Sequence, residues 1–245
     1  MDPGPTPRRI LAIDDDPISL AIAAVLLEAE GSIVVQAESG ERALEMLADG
    51  EPPDCILADL RMPTLSGPEL AARLHVAAPA ATLVAMSATP PDRVPGYDGC
   101  LKKPLSPEAL RALLANLGAS HRAPPTEGHP GTDSAPSDPE LVDTAVFDRL
   151  RGAMPVEALE EVIVAFLQDA GLRLEQMRVA DPETICRQAH TLKGGASMIG
   201  AVQVAFTASV VEAGIDHHGE RLRKLDELEC SLRQTEVILK QRLKI

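Results

Sequence analysis

Apolar positions in the first half of the chain follow two alternating patterns. Short apolar runs, ILAI at 10–13, IVVQ at 33–36, CILA at 55–58 and TLVAM at 82–86, read as buried strands, and a fifth, short strand is expected over 100–102. Stretches with helical periodicity lie between them at 18–30, 41–48 and 68–77, and another follows the last strand at 107–117. Strands alternating with helices imply parallel pairing, so this half is expected to be an α/β doubly wound, five-stranded parallel sheet. The second half carries no strand signal. Val156, Leu159, Ile163, Phe166, Leu167, Ala170 and Leu174 recur at helical spacing after Pro155, a residue suited to a first turn. Asp181-Pro182 pairs an N-cap residue with a first-turn proline, and Gly200 is a natural stop. Two more helices follow, at 201–215 and 219–243, the last with Leu225, Leu228, Leu232 and Leu239. Together these suggest an all-α antiparallel bundle.

Between the halves, residues 119–140 contain five prolines and no aliphatic side chain larger than Ala. Such a stretch cannot bury enough surface to fold, so it reads as a flexible linker with an r.m.s. reach of roughly 25 Å. The expected organisation is an α/β domain at 8–118, the linker at 119–140 and a helical domain at 141–245. A length of 245 residues allows two cores, and with 2% aromatic residues those cores must be built from Ala, Leu, Val and Ile. A net charge of −14 argues against nucleic acid or an anionic membrane surface as the main partner. Cys55, Cys100, Cys186 and Cys230 have no CxxC or metal spacing; three sit among apolar residues, which points to reduced, buried thiols. The opening MDPGPTPRR has no apolar run after its basic pair, and no apolar stretch approaches the length of a membrane span. A cytoplasmic protein without membrane insertion is the expectation.

In an open parallel sheet, ligands bind beyond the carboxyl ends of the strands. The first strand runs into Asp14-Asp15-Asp16, the third into Asp59, the fourth ends at Ser87 and the fifth at Lys103. Carboxylates converging on one edge suit a hard cation with oxygen ligands, namely Mg²⁺. A carboxylate can also be a nucleophile toward phosphorus, with the metal, Lys103 and Ser87 meeting the phosphoryl oxygens as charge builds. The segments ILAIDDD, CILADLRMPTLSG, MSA and LKKP, in that order and spacing, resemble the receiver (response-regulator) family over residues 8–118. The resemblance implies a flavodoxin-like fold, with Asp59 as phosphoacceptor and Asp14 and Asp15 binding Mg²⁺ alongside it. It also implies that Ser87 is the switch hydroxyl and that Lys103, just before Pro104, is the family's lysine. Asp16 and Lys102 match no family role. Two departures stand out. The interval from Ser87 to Lys103 contains Pro90, Pro91, Pro95, Gly96 and Gly99, so the family's fourth helix is expected to be shortened or absent. Cys100 stands where receivers usually carry an aromatic residue. Both changes fall on the face by which relatives signal or dimerise.

On a helix, Ile185, Ala189, Leu192, Ala196 and Ile199 form one buried stripe, leaving Arg187, His190, Lys193, Gly194 and Ser197 on the other face. His190 is therefore expected to point to solvent, where an imidazole can act as a nucleophile. Lys193, one turn away, could pair with phosphoryl oxygens. Gly194 and Gly195 each weaken a helix by about 1 kcal/mol against Ala, a cost that makes sense if a partner's backbone must approach closely. The segment HTLKGGASMIGA resembles the histidine phosphotransfer (HPt) family, a likeness that covers roughly residues 140–245. It implies a four-helix bundle with His190 as phosphoacceptor and Lys193 and Gly194 in support; Gly195 stands where the family often has Ser. His217-His218 reads as a polar turn, and the basic residues of the last helix, interleaved with acids, as a solvated face.

No Gly-rich nucleotide-binding loop is present, so ATP-dependent kinase activity is not expected and phosphate must come from another protein. The leading expectation is a phosphorelay intermediate. In it Asp59, with Mg²⁺, accepts a phosphoryl group from a sensor histidine kinase and can lose it by autodephosphorylation. His190 exchanges phosphoryl groups with Asp59 or with a further receiver-domain protein. The alternatives are a docking adaptor whose bundle recruits a partner without phosphotransfer, and a phosphate sink that drains a kinase by hydrolysis at Asp59. Arg61 and Thr89, two residues beyond Asp59 and Ser87, are expected beside the path of an attacking water.

Overall fold

The computed structural model describes residues 7–91, 93–117, 141–213 and 218–243, and the chain divides into two units, Met1–His129 and Pro130–Ile245. The expected linker at 119–140 and His217 lie outside the described residues, and of His218 only the backbone is described.

The first unit is built from β1 (Arg9–Ile13), α1 (Pro17–Ala29), β2 (Ile33–Ala37), α2 (Gly40–Asp49), β3 (Cys55–Asp59), α3 (Gly67–Ala77), β4 (Thr82–Ser87), β5 (Gly99–Lys102) and α4 (Pro107–Asn116). Its five strands are parallel in the order β2-β1-β3-β4-β5. Strand residues alternate between the two faces. Leu11, Ile13, Ile56, Ala58 and Leu83 join Leu70, Ala71 and Leu74 of α3 in one core cluster. The three central strands are buried throughout or nearly so, whereas the expectation that all strands are buried fails at the rims. Ile33 of β2 is 49% exposed and β5 is only half-buried, because each is an edge strand with a neighbour on one side.

Among the described residues between β4 and β5 there is no helix. That stretch is instead pinned to α3 and β4. The Tyr97 hydroxyl donates to Gly67 O at 3.2 Å, His75 Nε2 lies 2.8 Å from Gly96 O, and Leu83 N donates to the Asp98 carboxylate at 2.8 Å. Gly96 sits at φ +82°, and a Cβ there would come within 2.9 Å of Ala71 Cβ, so the loop lies too close to α3 for any larger residue.

The second unit contains α5 (Thr144–Ala153), α6 (Val156–Val179), α7 (Pro182–Met198), α8 (Val202–Glu212) and α9 (His218–Leu243). Helices α6 to α9 pack as a ring in which each touches two others, the arrangement of a four-helix bundle. Asp181 caps α7 by accepting from Glu183 N and Thr184 N. Gly200, at φ +78°, ends it: Gly200 N donates to Ser197 O and Ala201 N to Ala196 O, the paired bonds of a Schellman stop. Helix α5 is an element the sequence reading did not anticipate. Asp143 caps it, Val146, Phe147 and Leu150 are buried, and Asp143 N donates to Gly200 O at 2.7 Å, so α5 packs across the α7–α8 turn. The Arg242 guanidinium of α9 stands 5.6 Å from the Phe147 ring centre, fixing the same corner from the other side.

Candidate functional site

Parallel register carries the strand ends to one edge. Asp59 lies opposite Met86 and Ser87 opposite Lys102. The ladder continues one step further through Asp14 N→Ala37 O, Leu60 N→Met86 O and Lys103 N→Ser87 O. Asp14, Asp59, Ser87 and Lys103 are consequently all buried at the carboxyl edge of the sheet. Lys103 Nζ lies 2.5 Å from Asp14 Oδ2 and 3.2 Å from Asp59 Oδ2. The other Asp14 oxygen accepts from Asp16 N at 3.0 Å. Carboxylate oxygens of Asp14, Asp15 and Asp59 lie within 4.8 Å of one another.

Burial, with the nearby charges of Asp59 and Asp16, outweighs the pull of Lys103 and leaves the Asp14 carboxyl raised to about 7. Burial opposes the charge on Lys103 as well, but Asp14 and Asp59 outweigh it and hold the ammonium more firmly protonated than a free lysine. Three carboxylates facing one ammonium leave surplus negative charge in a dry cleft. Hard oxygen donors with that surplus fit a divalent cation such as Mg²⁺. At the mouth, Arg61 N points at Asp59 Oδ1 at 3.5 Å, Thr89 N donates to Ser87 Oγ at 3.3 Å, and Arg61 Nη2 reaches Thr89 Oγ1 at 3.4 Å. Asp16 is buried for a different reason: it caps α1, accepting from Ile18 N, Ser19 N and the Ser19 hydroxyl.

In the helical unit, Ile185, Ala189, Leu192, Ala196 and Ile199 are buried as the periodicity requires. His190 does not stand free in solvent as expected. Its side chain keeps 23% exposure, and Nδ1 lies 2.6 Å from Glu212 Oε1. Lys193 Nζ takes the other oxygen of the same carboxylate at 3.0 Å. Burial raises the Glu212 carboxyl, but the hydrogen bonds and charges of His190 and Lys193 outweigh it and hold the group below the usual range. Around Gly194 a Cβ would meet nothing within 4 Å, so the helix surface beside His190 is open to a close partner.

Residues 10–115 match the family model for the response regulator receiver domain, and residues 161–238 match that for the Hpt domain. The two-component response regulator ORR41 of Oryza sativa is 34% identical over 121 residues, which cover 44% of this chain and 93% of that protein. The chain belongs to the response-regulator family, with an Hpt domain in the same polypeptide. The virulence sensor protein BvgS of Bordetella parapertussis is 29% identical over 83% of the chain, and the sensor protein TorS of Escherichia coli 27% identical over 78%. The chain spans 18% and 21% of those two sensor proteins' own lengths. A receiver domain joined to an Hpt domain has a two-component phosphorelay role. No helix among the described residues is long and apolar enough to cross a membrane.

Within the receiver domain, Asp14, Asp15, Asp59, Ser87 and Lys103 stand at the carboxyl edge of the sheet, whereas Asp16 caps α1 and Lys102 is exposed on β5. Within the Hpt domain the sequence reading missed Glu212. Its signal was the hairpin itself: α7 and α8 turn at Gly200, so residues about equally far from that glycine face each other, 190 opposite the region of 210. The thiols also differ from expectation. Cys55 is buried and Cys100 half-buried, but Cys186 and Cys230 are exposed, because each lies on the outward side of an amphipathic helix.

Proposed function

We propose that the chain is a phosphorelay intermediate in which Asp59 accepts a phosphoryl group from a sensor histidine kinase and His190 exchanges phosphoryl groups with Asp59 or with a further receiver-domain protein. The observation that carries the reading is the buried Lys103 ammonium shared between Asp14 and Asp59, with three carboxylates converging beside it. That is the charge arrangement a carboxylate needs to attack phosphorus. Asp59 Oδ supplies the electron pair. Lys103 stands ready to neutralise a phosphoryl oxygen, and the buried Ser87 hydroxyl can donate to another. Asp14, Asp15 and Asp59 would hold Mg²⁺, which when bound supplies further positive charge against the phosphoryl oxygens. Asp14 Oδ2 now sits on Lys103 and its Oδ1 on Asp16 N, so it is already aimed into the cleft.

In the Hpt domain, the partly exposed His190 ring, the nearby Lys193 ammonium and the open space at Gly194 support a surface that meets a receiver. The test is to incubate the protein with labelled candidate kinases and Mg²⁺ and to follow acid-labile and acid-stable label separately. Label on Asp59 followed by label on His190 is the expected order. An Asp59→Ala chain whose His190 is still labelled by the same kinase rejects that order. His190→Gln that leaves onward signalling intact favours a docking adaptor instead, and rapid phosphate release without onward transfer a sink.

The pinned β4–β5 stretch supports a further part of the reading. With Tyr97 and His75 tying it to α3, and no helix among its described residues, this face is suited to holding the cleft rather than to driving a conformational output. A phosphorylation-dependent dimer packed on residues 88–118 would contradict it.

A further inference from the structure

The receiver domain carries a cavity toward the amino end of its sheet, where β1 begins, away from the acid cleft at the carboxyl edge. Helix α2 is ten residues long and ends at Asp49, so the outer strand β2 and the start of β1 are incompletely covered. The gap measures about 460 Å³ and is bounded by β1, β2, α2 and the turn that follows α2. We propose that it binds a small organic cation, a protonated amine with an apolar body.

The floor calls for hydrocarbon. Leu11 and Val35 are register partners on neighbouring strands, and Met46 and Leu47 line the same space from α2. Val35, Met46 and Leu47 pack against the receiver core yet stay only partly buried. An occupant's apolar body would cover that surface and remove it from water. The volume falls within the roughly 300–1,000 Å³ of small-molecule sites, so a ligand with a phenyl ring and a short chain fits.

The rim decides the sign of the charge. Arg9 pairs with Glu51 at 3.3 Å and Arg42 with Glu45 at 3.0 Å, so both lining cations are balanced by two of the three lining acids. Asp49 is the acid left over; it makes no hydrogen bond or ion pair among the described residues. It stands at the end of α2, where the last carbonyls have no helical partners and the last turn contains no basic residue. Gly50 turns the chain there so tightly that a Cβ would come within 2.6 Å of Met46 O. A free carboxylate and the negative end of a helix, both beside an apolar floor, favour an ammonium over a neutral group and oppose a carboxylate. Because Asp49 is exposed, the preference is modest, about fivefold over a neutral group.

The test uses the full chain with ¹³C-methyl methionine, the Met46 signal being assigned by its loss in Met46→Leu. Three probes share one phenylbutyl body: 4-phenylbutylamine, 4-phenylbutan-1-ol and 5-phenylpentanoate, titrated at pH 7 and constant ionic strength. The amine should move the Met46 methyl saturably, with a dissociation constant on the order of 1–10 mM, while Met86, buried in β4, stays in place. The alcohol should bind about fivefold more weakly than the amine, and the carboxylate more weakly still. Asp49→Asn should bring the amine close to the alcohol. Val35→Phe, which enlarges a lining side chain, should abolish the Met46 shift, with Leu47→Phe as the second variant if Val35→Phe does not fold. The proposal is overturned if the amine gives no saturable Met46 shift by about 20 mM, twice the upper end of that range. It is equally overturned if the carboxylate binds as tightly as the amine, if Asp49→Asn keeps the amine's advantage, or if a folded cavity-filling variant binds like the wild type.

Discussion

Replacing Lys103 with Met tests the electrostatic reading of the receiver cleft most directly. Lys103 retains 4% side-chain exposure, and its partners Asp14 and Asp59 retain 1% and 11%. Removing one member of a buried ion pair typically costs about 3–5 kcal/mol, because the remaining charge is left without a partner in a dry site. Here two carboxylates lose their cation together. Asp14 can limit the loss by taking up a proton. Its carboxyl is already pushed up from 3.8 to about 7, and without Lys103 it should rise further. For an acid whose folded value is raised, the penalty is absent below the unfolded value and grows as pH rises toward the folded one. The folded wild type already holds Asp14 protonated below about 7, so the part of the Lys103→Met cost that comes from Asp14 should be small near pH 5 and grow as pH rises past about 7, toward roughly 3–5 kcal/mol in all once both carboxylates are ionised without a cation. Tyr97 is the chain's sole tyrosine and there is no tryptophan, so tyrosine fluorescence during urea unfolding reports the receiver domain alone. Adding Mg²⁺ at tenfold its dissociation constant should restore about 1.4 kcal/mol, since the three carboxylates remain. Asp14→Asn combined with Lys103→Met should be less destabilised than the sum of the single changes. A loss under about 1 kcal/mol at pH 8, or one that does not vary with pH, would refute the buried ion pair as the organising charge of the cleft.

Three further outcomes follow from the Hpt domain, their stability changes readable by far-UV circular dichroism and the phosphotransfer rate by label transfer to a receiver. Gly194→Ala meets open space in a helix interior, so it should stabilise the domain by up to about 1 kcal/mol while slowing phosphotransfer with a receiver, because the added methyl stands on the approach to His190. Gly200→Ala should destabilise by about 1–2 kcal/mol from backbone strain at φ +78°, and more from a Cβ placed 3.0 Å from both Asp143 O and Val146 Cβ. The Glu212 carboxyl is held below its ordinary 4.5, so its stabilising contribution is fully present above that value and lost as pH falls through the lower folded one; Glu212→Gln should remove that acid-side drop in urea resistance.

The receiver domain was largely legible because each of its candidate site residues lies at the end of a strand, and strands declare themselves by apolar runs. Once ILAI, CILA and TLVAM are recognised as parallel neighbours, Asp14, Asp59 and Ser87 must share an edge whatever the details of packing. The prolines between Ser87 and Lys103 similarly announced the lack of a helix among the described residues there. What they did not announce is how the stretch is held, because Tyr97→Gly67 O and His75···Gly96 O join residues 30 and 21 apart, with no local pattern connecting them. Asp16, which matched no family role in the sequence despite its place beside two candidate carboxylates, has its side chain consumed by the first turn of α1.

Helical domains hide their sites more effectively, because periodicity specifies which side of a helix is buried but not which residue of the next helix lies alongside. The stripe through Ile185, Ala189 and Leu192 correctly placed His190 and Lys193 on the opposite side, yet it left the occupant of the adjacent groove undetermined. Helix α8 made matters harder, since VQVAFTASVVE is apolar almost all round and offers no polar face to align. Its single ionisable residue is Glu212, and that residue meets both His190 and Lys193. An isolated charge at the end of an otherwise apolar helix costs solvation unless something compensates it, so its position was itself a request for a cationic partner. Reflecting position 212 through Gly200 points to the region of 188, within about a turn of both His190 and Lys193. The Cys186 thiol, one turn before His190, reaches the Glu212 carbonyl across the same hairpin. A glycine stop between two helices thus contains long-range information: it sets the register of the hairpin, and through that register the chemical surroundings of His190.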